Sequence, residues 1–350
     1  MIRRLFIQSL WRSRVCDLAR YARSGQGLML RYHSVCADAK SRPDYISASI
    51  SVPAKLFEQQ VSRVRRKYRC LTLDEVVDHI ERRRPMPPRS VALTFDDGYL
   101  DNYQYALPIL AKHRVPATIY LVSSTLTENK PVWTSVLRYG LMNSPLKRAS
   151  LPDAAGVTSI FVLEDSAQRD KAVRHYTNVL NILSARRRDD LLAELLRQLR
   201  VEHVPDAAHW FLSRSQILEM MGHGVTFGAH TLTHPNLPGI DGAEARREIE
   251  GSRRDLEACL GTPVQHFSYP NSGALYPHFD DAIESHVRQA GFRSAVTSVR
   301  GWLSETTNPF RIHRIGVNRA RSGPSDFSIW LERNRLFPAG ERLVPAREEA

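Results

Sequence analysis

The chain predicts an α/β protein built on a parallel sheet flanked by helices, and three observations carry that expectation. Short apolar, β-prone runs alternate with amphipathic helical stretches along most of its length. Polar clusters close two of the runs, at Asp96-Asp97-Gly98 and at His230 to His234. Ligands bind at the carboxyl ends of strands in parallel α/β folds, and both clusters fall there. With 350 residues the chain can bury a sizeable core, as one large domain or a domain with insertions. Periodicity leaves open whether the sheet is open or closed into a barrel.

The elements follow in order. Residues 1–26 read as a basic helical arm, and Gly27 to His33 as a first strand with a polar tip. Leu56 to Tyr68 carries Leu56, Phe57, Gln60, Val61 and Val64 on one side, which is helical spacing. Leu73 to Ile80 is a second helix, ended by Pro85 and Pro87-Pro88. Val91 to Phe95 is a buried strand. A helix from about Tyr103 to His113 follows, with Pro108 as a mild kink in its first turns, and then a strand from Ala117 to Val122.

The rhythm pauses over residues 125–212, read as a largely helical insertion and a candidate lid. It holds a segment from Trp133 to Leu141, a hairpin around Thr158 to Leu163, and helical patterns from Ala167 to Leu199. The rhythm resumes at Ser213 with its capping partner Gln216, opening a helix stopped by Gly222. The Thr226 strand delivers His230, and a helix from Ala243 to Leu260 ends at Gly261. A strand from Val264 to Tyr269, a helix from Asp280 to Ala290, and strands at Ala295 to Thr297 and Arg311 to Val317 complete the body at about residue 320. Residues 321–350 read as a C-terminal helix and polar tail.

Apolar content of 42% and charged content of 25% are ordinary for a globular protein. The net charge of +12 rests on 49 basic residues of which only seven are lysine, a skew that reads as a codon habit and not as a binding surface. A basic surface still favours anionic partners. No nucleic-acid motif with interleaved aromatics is present, so nucleic acid is not expected. The N-terminal segment lacks the apolar length and cleavage site of a signal peptide. Its Leu5, Phe6, Leu10 and Trp11 among arginines suit either a helix packed on its own domain or peripheral contact with an anionic membrane. The four cysteines form no C-x-x-C pair, so the expected location is cytoplasmic, peripheral to the inner membrane surface.

The chemistry lies in the two clusters. Adjacent carboxylates after an apolar run offer a metal ligand and a general base side by side, and two histidines four positions apart can converge on one cation. An Asp with two His leaves a coordination position for water, which suits a hydrolase and not a closed structural site. Either cluster alone has a plainer explanation, as a solvated turn or as separately bonded histidines.

Thr94-Phe95-Asp96-Asp97-Gly98-Tyr99, His230-Thr231-Leu232-Thr233-His234 and Phe267-Ser268-Tyr269-Pro270 together resemble the polysaccharide deacetylases, carbohydrate esterase family 4 with the nodulation-type deacetylase domain. The likeness spans about residues 28 to 318. It implies a distorted (β/α) barrel of about seven parallel strands that removes acetyl groups from sugars with one divalent metal, usually zinc (Zn2+). By the same resemblance Asp97, His230 and His234 are the metal ligands and Asp96 the base that takes the water proton. A backbone N–H near Tyr269-Pro270-Asn271 would steady the oxyanion.

The departures are specific. Many members carry Arg at the position of Ser268 and an aromatic at Asn271, so the usual arginine contact to the base needs a substitute here. The fourth motif is not recognisable, and Trp302 is the expected wall of the site in its place. His313 is the loose match to the family's proton-donating histidine, with His33 its rival. The expected substrate is an N-acetylated glycan or lipid-linked precursor. A C–N hydrolase acting on a small non-sugar amide and a catalytically impaired carbohydrate-binding protein are the competing readings. The intact Asp96, Asp97, His230 and His234 favour the enzyme, because a binding module needs no base beside a metal.

Overall fold

The structure is a computed structural model that describes residues 25–270 and 277–317, together with Phe327 and Leu331. The basic arm, Asn271 and the expected C-terminal helix and tail lie outside the described residues. The chain opens with β1 (Leu28–Tyr32), β2 (Ser34–Cys36), β3 (Ser51–Pro53), α1 (Ala54–Lys67), β4 (Arg69–Cys70), α2 (Leu73–Glu81) and β5 (Ser90–Phe95). Phe57, Val61 and Val64 form the buried stripe of α1, as their spacing predicts. Thr72 and Glu75 form a reciprocal capping box that starts α2.

After β5 the helix begins with a wide turn, Asn102–Ala106, before tightening into α3 (Leu107–His113). Pro108 is the cause: it has no N–H for the residue four before it, and its ring crowds that carbonyl. Next come β6 (Ala117–Leu121), α4 (Ser124–Thr127), α5 (Trp133–Asn143), β7 (Arg148–Pro152), β8 (Thr158–Val162), α6 (Ser166–Leu180) and α7 (Ala185–Gln198). The hairpin pairs β7 with β8, so its first strand lies earlier than the sequence pattern indicates.

The body continues with α8 (Arg214–Gly222), β9 (Val225–Ala229), α9 (Gly242–Leu260), β10 (His266–Ser268), α10 (Asp281–Gln289), β11 (Ser294–Val296) and β12 (Ile315–Gly316). Gly222 is the last residue of α8, and the left-handed residue beyond it is Gly224 at φ +81°.

Seven parallel strands run in the order β11-β10-β9-β6-β5-β1-β12, with β4 beside the start of β5. The last segment joins the two edges. Ile312 pairs with Val296 of β11 while Ile315 pairs with Leu30 of β1. Thr297 N donates to Ile312 O at 2.8 Å, and Val317 N donates to Arg31 O at 2.9 Å. A single short stretch thus bonds to both edges, which makes the curled sheet a distorted barrel.

Alternation then sorts the side chains. Leu28, Leu30, Tyr32, Val91, Leu93 and Phe95 face outward into the core beneath the helices. Met29, Ala92, Tyr120, Val296 and Ile312 belong to an inner cluster with Val76, Val77 and Ile80 of α2. Residues of the insertion build a third core, in which Trp133, Leu137, Tyr176 and Leu195 pack with Tyr99 and Val122 from the barrel loops.

A candidate metal-centred active site at the carboxyl ends of the strands

Asp96 and Asp97 leave the end of β5 in different directions. Asp96 continues the inward face of the strand, and its N–H still bonds to Tyr32 O at 3.0 Å. Asp97 turns away in the left-handed region at φ +73°, followed by Gly98 at φ +72°. A Cβ on Gly98 would sit 2.6 Å from Leu121 Cδ2, so this position requires glycine on both counts. The turn is anchored where Leu212 N donates to Gly98 O at 2.9 Å.

His230 follows β9 directly, with its N–H on Leu121 O at 2.8 Å. Its Nδ1 lies 2.7 Å from Ser268 O, and a carbonyl can only accept. Nδ1 therefore carries the proton, and the lone pair of Nε2 faces Asp97 Oδ1 at 3.6 Å.

The chain from His230 to His234 has two non-glycine residues in the left-handed region, Thr231 at φ +67° and His234 at φ +62°. Such strain persists only where surroundings enforce it. Here Thr231 Oγ1 accepts from His234 N at 2.9 Å, and the Glu248 carboxylate accepts from Thr233 N at 2.8 Å and from its hydroxyl at 2.5 Å. The insertion adds two further ties. Trp133 Nε1 donates to His234 O at 2.8 Å, and Arg188 Nη2 donates to Thr233 Oγ1 at 2.9 Å.

The result is a convergent group. One donor atom each from Asp97, His230 and His234 lies within 4.8 Å of the others, and all three residues are buried. His234 Nε2 stands 3.4 Å from Asp97 Oδ1. That oxygen is buried and accepts no hydrogen bond, a costly arrangement unless a cation completes it. Burial, then the neighbouring charge of Asp96, pushes the Asp97 carboxyl up to about 7. Burial also holds both histidines below their ordinary range, so they stand as neutral donors. This set fits a divalent metal.

Asp96 has the opposite surroundings. Burial alone would raise its pKa, but the Arg314 guanidinium, then His230 and His33, more than offset that and hold it well below the carboxylate range. Arg314 Nη1 and Nη2 donate to Asp96 Oδ1 and Oδ2 at 2.6 and 2.9 Å. Sequence reasoning missed this arginine; the signal was a missing partner for the base, and only closure of the barrel shows where the partner comes from.

The other expected residues divide. His33 is brought in, with Nε2 3.9 Å from Asp96 Oδ2. His313 is not. Arg314 takes the inward direction, so His313 points outward, packed on Gly301 with Nδ1 3.4 Å from Arg300 O. Tyr269 is also removed from the chemistry. Its N–H is spent on Val296 O at 3.2 Å, its hydroxyl donates to Phe310 O at 3.1 Å, and its ring stacks on Phe279. Pro270 has no N–H, and Asn271 lies outside the described residues.

Trp302 adjoins Leu303, which pairs with Gly27 at the entry end of β1. At ~3.3 Å per residue that is about 16 Å along the strand from the site. Trp302 therefore packs against the outer core and forms no wall.

The polysaccharide deacetylase family profile matches residues 83–295. YxkH of Bacillus subtilis (strain 168), a protein named for the same family, is 20% identical over 305 residues, covering 87% of this chain and 75% of that protein. Among solved structures, the Streptococcus pyogenes deacetylase PplD in complex with acetate superposes with a TM-score of 0.57 at 18% identity, over 87% of this chain and 97% of that one. IcaB from Ammonifex degensii gives 0.55 at 18% identity, over 88% and 98%. These likenesses speak for the fold, and the profile match over more than half of the chain speaks for descent. The chain belongs to the polysaccharide deacetylase family, hydrolases of carbon–nitrogen bonds other than peptide bonds.

Proposed function

We propose that this protein is a metal-dependent deacetylase that releases acetate from an N-acetylated sugar of a polysaccharide, oligosaccharide or lipid-linked precursor. The observation that carries the reading is the contrast at the strand ends. An ionised, arginine-held Asp96 stands beside Asp97, whose unbonded Oδ1 shares a buried group with two neutral histidines.

Asp97, His230 and His234 would hold the metal, with zinc the first candidate. When bound, the metal supplies Lewis-acid polarisation of the acetyl carbonyl and lowers the pKa of water toward ~7. The remaining work belongs to the chain. Asp96 is kept ionised to accept the proton of the attacking water, and its two oxygens are fixed in direction by Arg314. His33 stands beside the base, held neutral by burial, and is our choice of relay that takes the water proton on from Asp96 and passes it to the departing amine. Residues 27–320 form the catalytic domain in this reading, with 125–212 as an insertion supporting the histidine loop. The basic amphipathic arm favours action at the inner membrane surface.

The test is acetate release by the zinc-loaded protein from N-acetylglucosamine oligomers and from a lipid-linked N-acetylated sugar, beside small non-sugar amides. Turnover confined to the sugars supports the proposal. Turnover of the small amides alone, or glycan binding without acetate, overturns it.

A further inference from the structure

We infer that Arg314 is the positioning residue for the catalytic base, supplied from the closing segment of the barrel to a place that the strand of Ser268 leaves empty. This rests on the deacetylase reading for its meaning, although the ion pair stands without it. Arg314 is only 1% exposed, and each of its nitrogens is assigned. Nε donates to Thr297 O at 2.9 Å. Nη1 reaches Asp96 Oδ1 at 2.6 Å and Thr94 Oγ1 at 3.3 Å, and Nη2 reaches Asp96 Oδ2 at 2.9 Å and Ser268 Oγ at 3.0 Å. The guanidinium carbon lies 5.6 Å from the centre of the Tyr120 ring. Two parallel N–H donors on one carboxylate define its plane as well as its charge, which a single ammonium cannot do.

Room for this arrangement comes from two small residues. Gly228 admits the Tyr120 ring, since a Cβ there would lie 2.6 Å from it. Ser268 touches both partners, with its hydroxyl 3.3 Å from Asp96 Oδ1 as well as on Arg314. A side chain rooted at residue 268 and one rooted at residue 314 therefore reach the same spot. A guanidinium at both positions would put two of them on the same carboxylate oxygens and add a further buried cation to a group that already holds Arg31. The serine and the arginine are thus two halves of one arrangement.

The experiment is a swap. Ser268→Arg alone and Arg314→Ser alone should each lower kcat by about 100-fold, as expected for a misplaced base, with KM and zinc content near those of the wild type. The double variant Ser268→Arg/Arg314→Ser should recover at least tenfold over either. Arg314→Lys should stay close to the Arg314→Ser level. A double variant no better than Arg314→Ser, or Arg314→Lys at wild-type kcat, overturns the inference. If Arg314→Ser fails to fold, a folded and active double variant supports it and an unfolded one overturns it. Should the wild type release no acetate, the deacetylase reading fails separately. The pair is then read from unfolding of the metal-free protein, where Arg314→Gln and Asp96→Asn must be non-additive, and additivity overturns it.

Discussion

Asp96 and Asp97 are neighbours in sequence, and the regions they enter are opposites. Asp96 points into the barrel, where an arginine, a serine and a histidine surround it. Asp97 points into the turn facing the histidine loop, where its Oδ1 has no hydrogen-bond donor. The barrel side supplies positive charge permanently, through a fixed guanidinium. The loop side faces Asp97 Oδ1 with neutral histidines, and that oxygen is left for charge from outside. Two identical side chains acquire opposite electrostatic settings because one strand end and one left-handed turn send them to different surroundings.

The largest test of that contrast removes the proposed ligand. Asp97→Ala should abolish zinc binding, read by elemental analysis, and acetate release with it; full zinc content would break the comparison. Asp96→Asn should leave zinc content intact while lowering kcat by ~100-fold or more. On the loop side, Glu248→Gln or Trp133→Phe should weaken zinc affinity by ~10- to 100-fold with a smaller effect on kcat, measured by competition with a chelator. The reverse pattern would mean that the insertion serves substrate and not the histidine loop.

The two carboxylates should also titrate with opposite sign in the metal-free protein. Asp96 is depressed below the unfolded value of ~3.9, so its stabilisation is present above that pH and is lost as pH falls. Asp97, pushed up to about 7, costs stability progressively as pH rises from ~4 to ~7, because the folded state binds the extra proton. Melting temperatures across that range should therefore fall less steeply in Asp97→Asn than in the wild type, and saturating zinc should remove the difference. The smallest expected effect sharpens the boundary of the site: His313→Ala should keep kcat within about twofold, whereas His33→Ala should lower it about 100-fold.

Much of the scaffold was legible because its signals are local. The stripe on α1, the capping box opening α8, and the polar tips of β5 and β9 each depend on residues a few positions apart. Less local features escaped. The wide turn before α3 needs the missing N–H of Pro108 to be weighed against the following helix. The first strand of the hairpin, Arg148–Pro152, alternates weakly and becomes a strand by pairing with β8. Of the site, Asp97, His230 and His234 converge as their motif spacing suggested, and Asp96 stands beside them. Two of the expected residues stand away from the group, for different reasons: Trp302 adjoins the entry end of β1, and His313 is turned outward because a strand shows alternate residues to opposite faces.

What the sequence determined by itself is the inventory: an alternating α/β chain, two polar clusters at strand ends, and a carboxylate pair with a histidine pair. Those depend on spacing and composition, which are written locally. The tertiary structure decided the supporting cast. Arg314 meets Asp96 only because one short segment bonds to both edges of the sheet, and Trp133 meets His234 only because the insertion packs against the histidine loop. Contacts between residues far apart in the chain arise from closure and packing, and no short-range pattern encodes them.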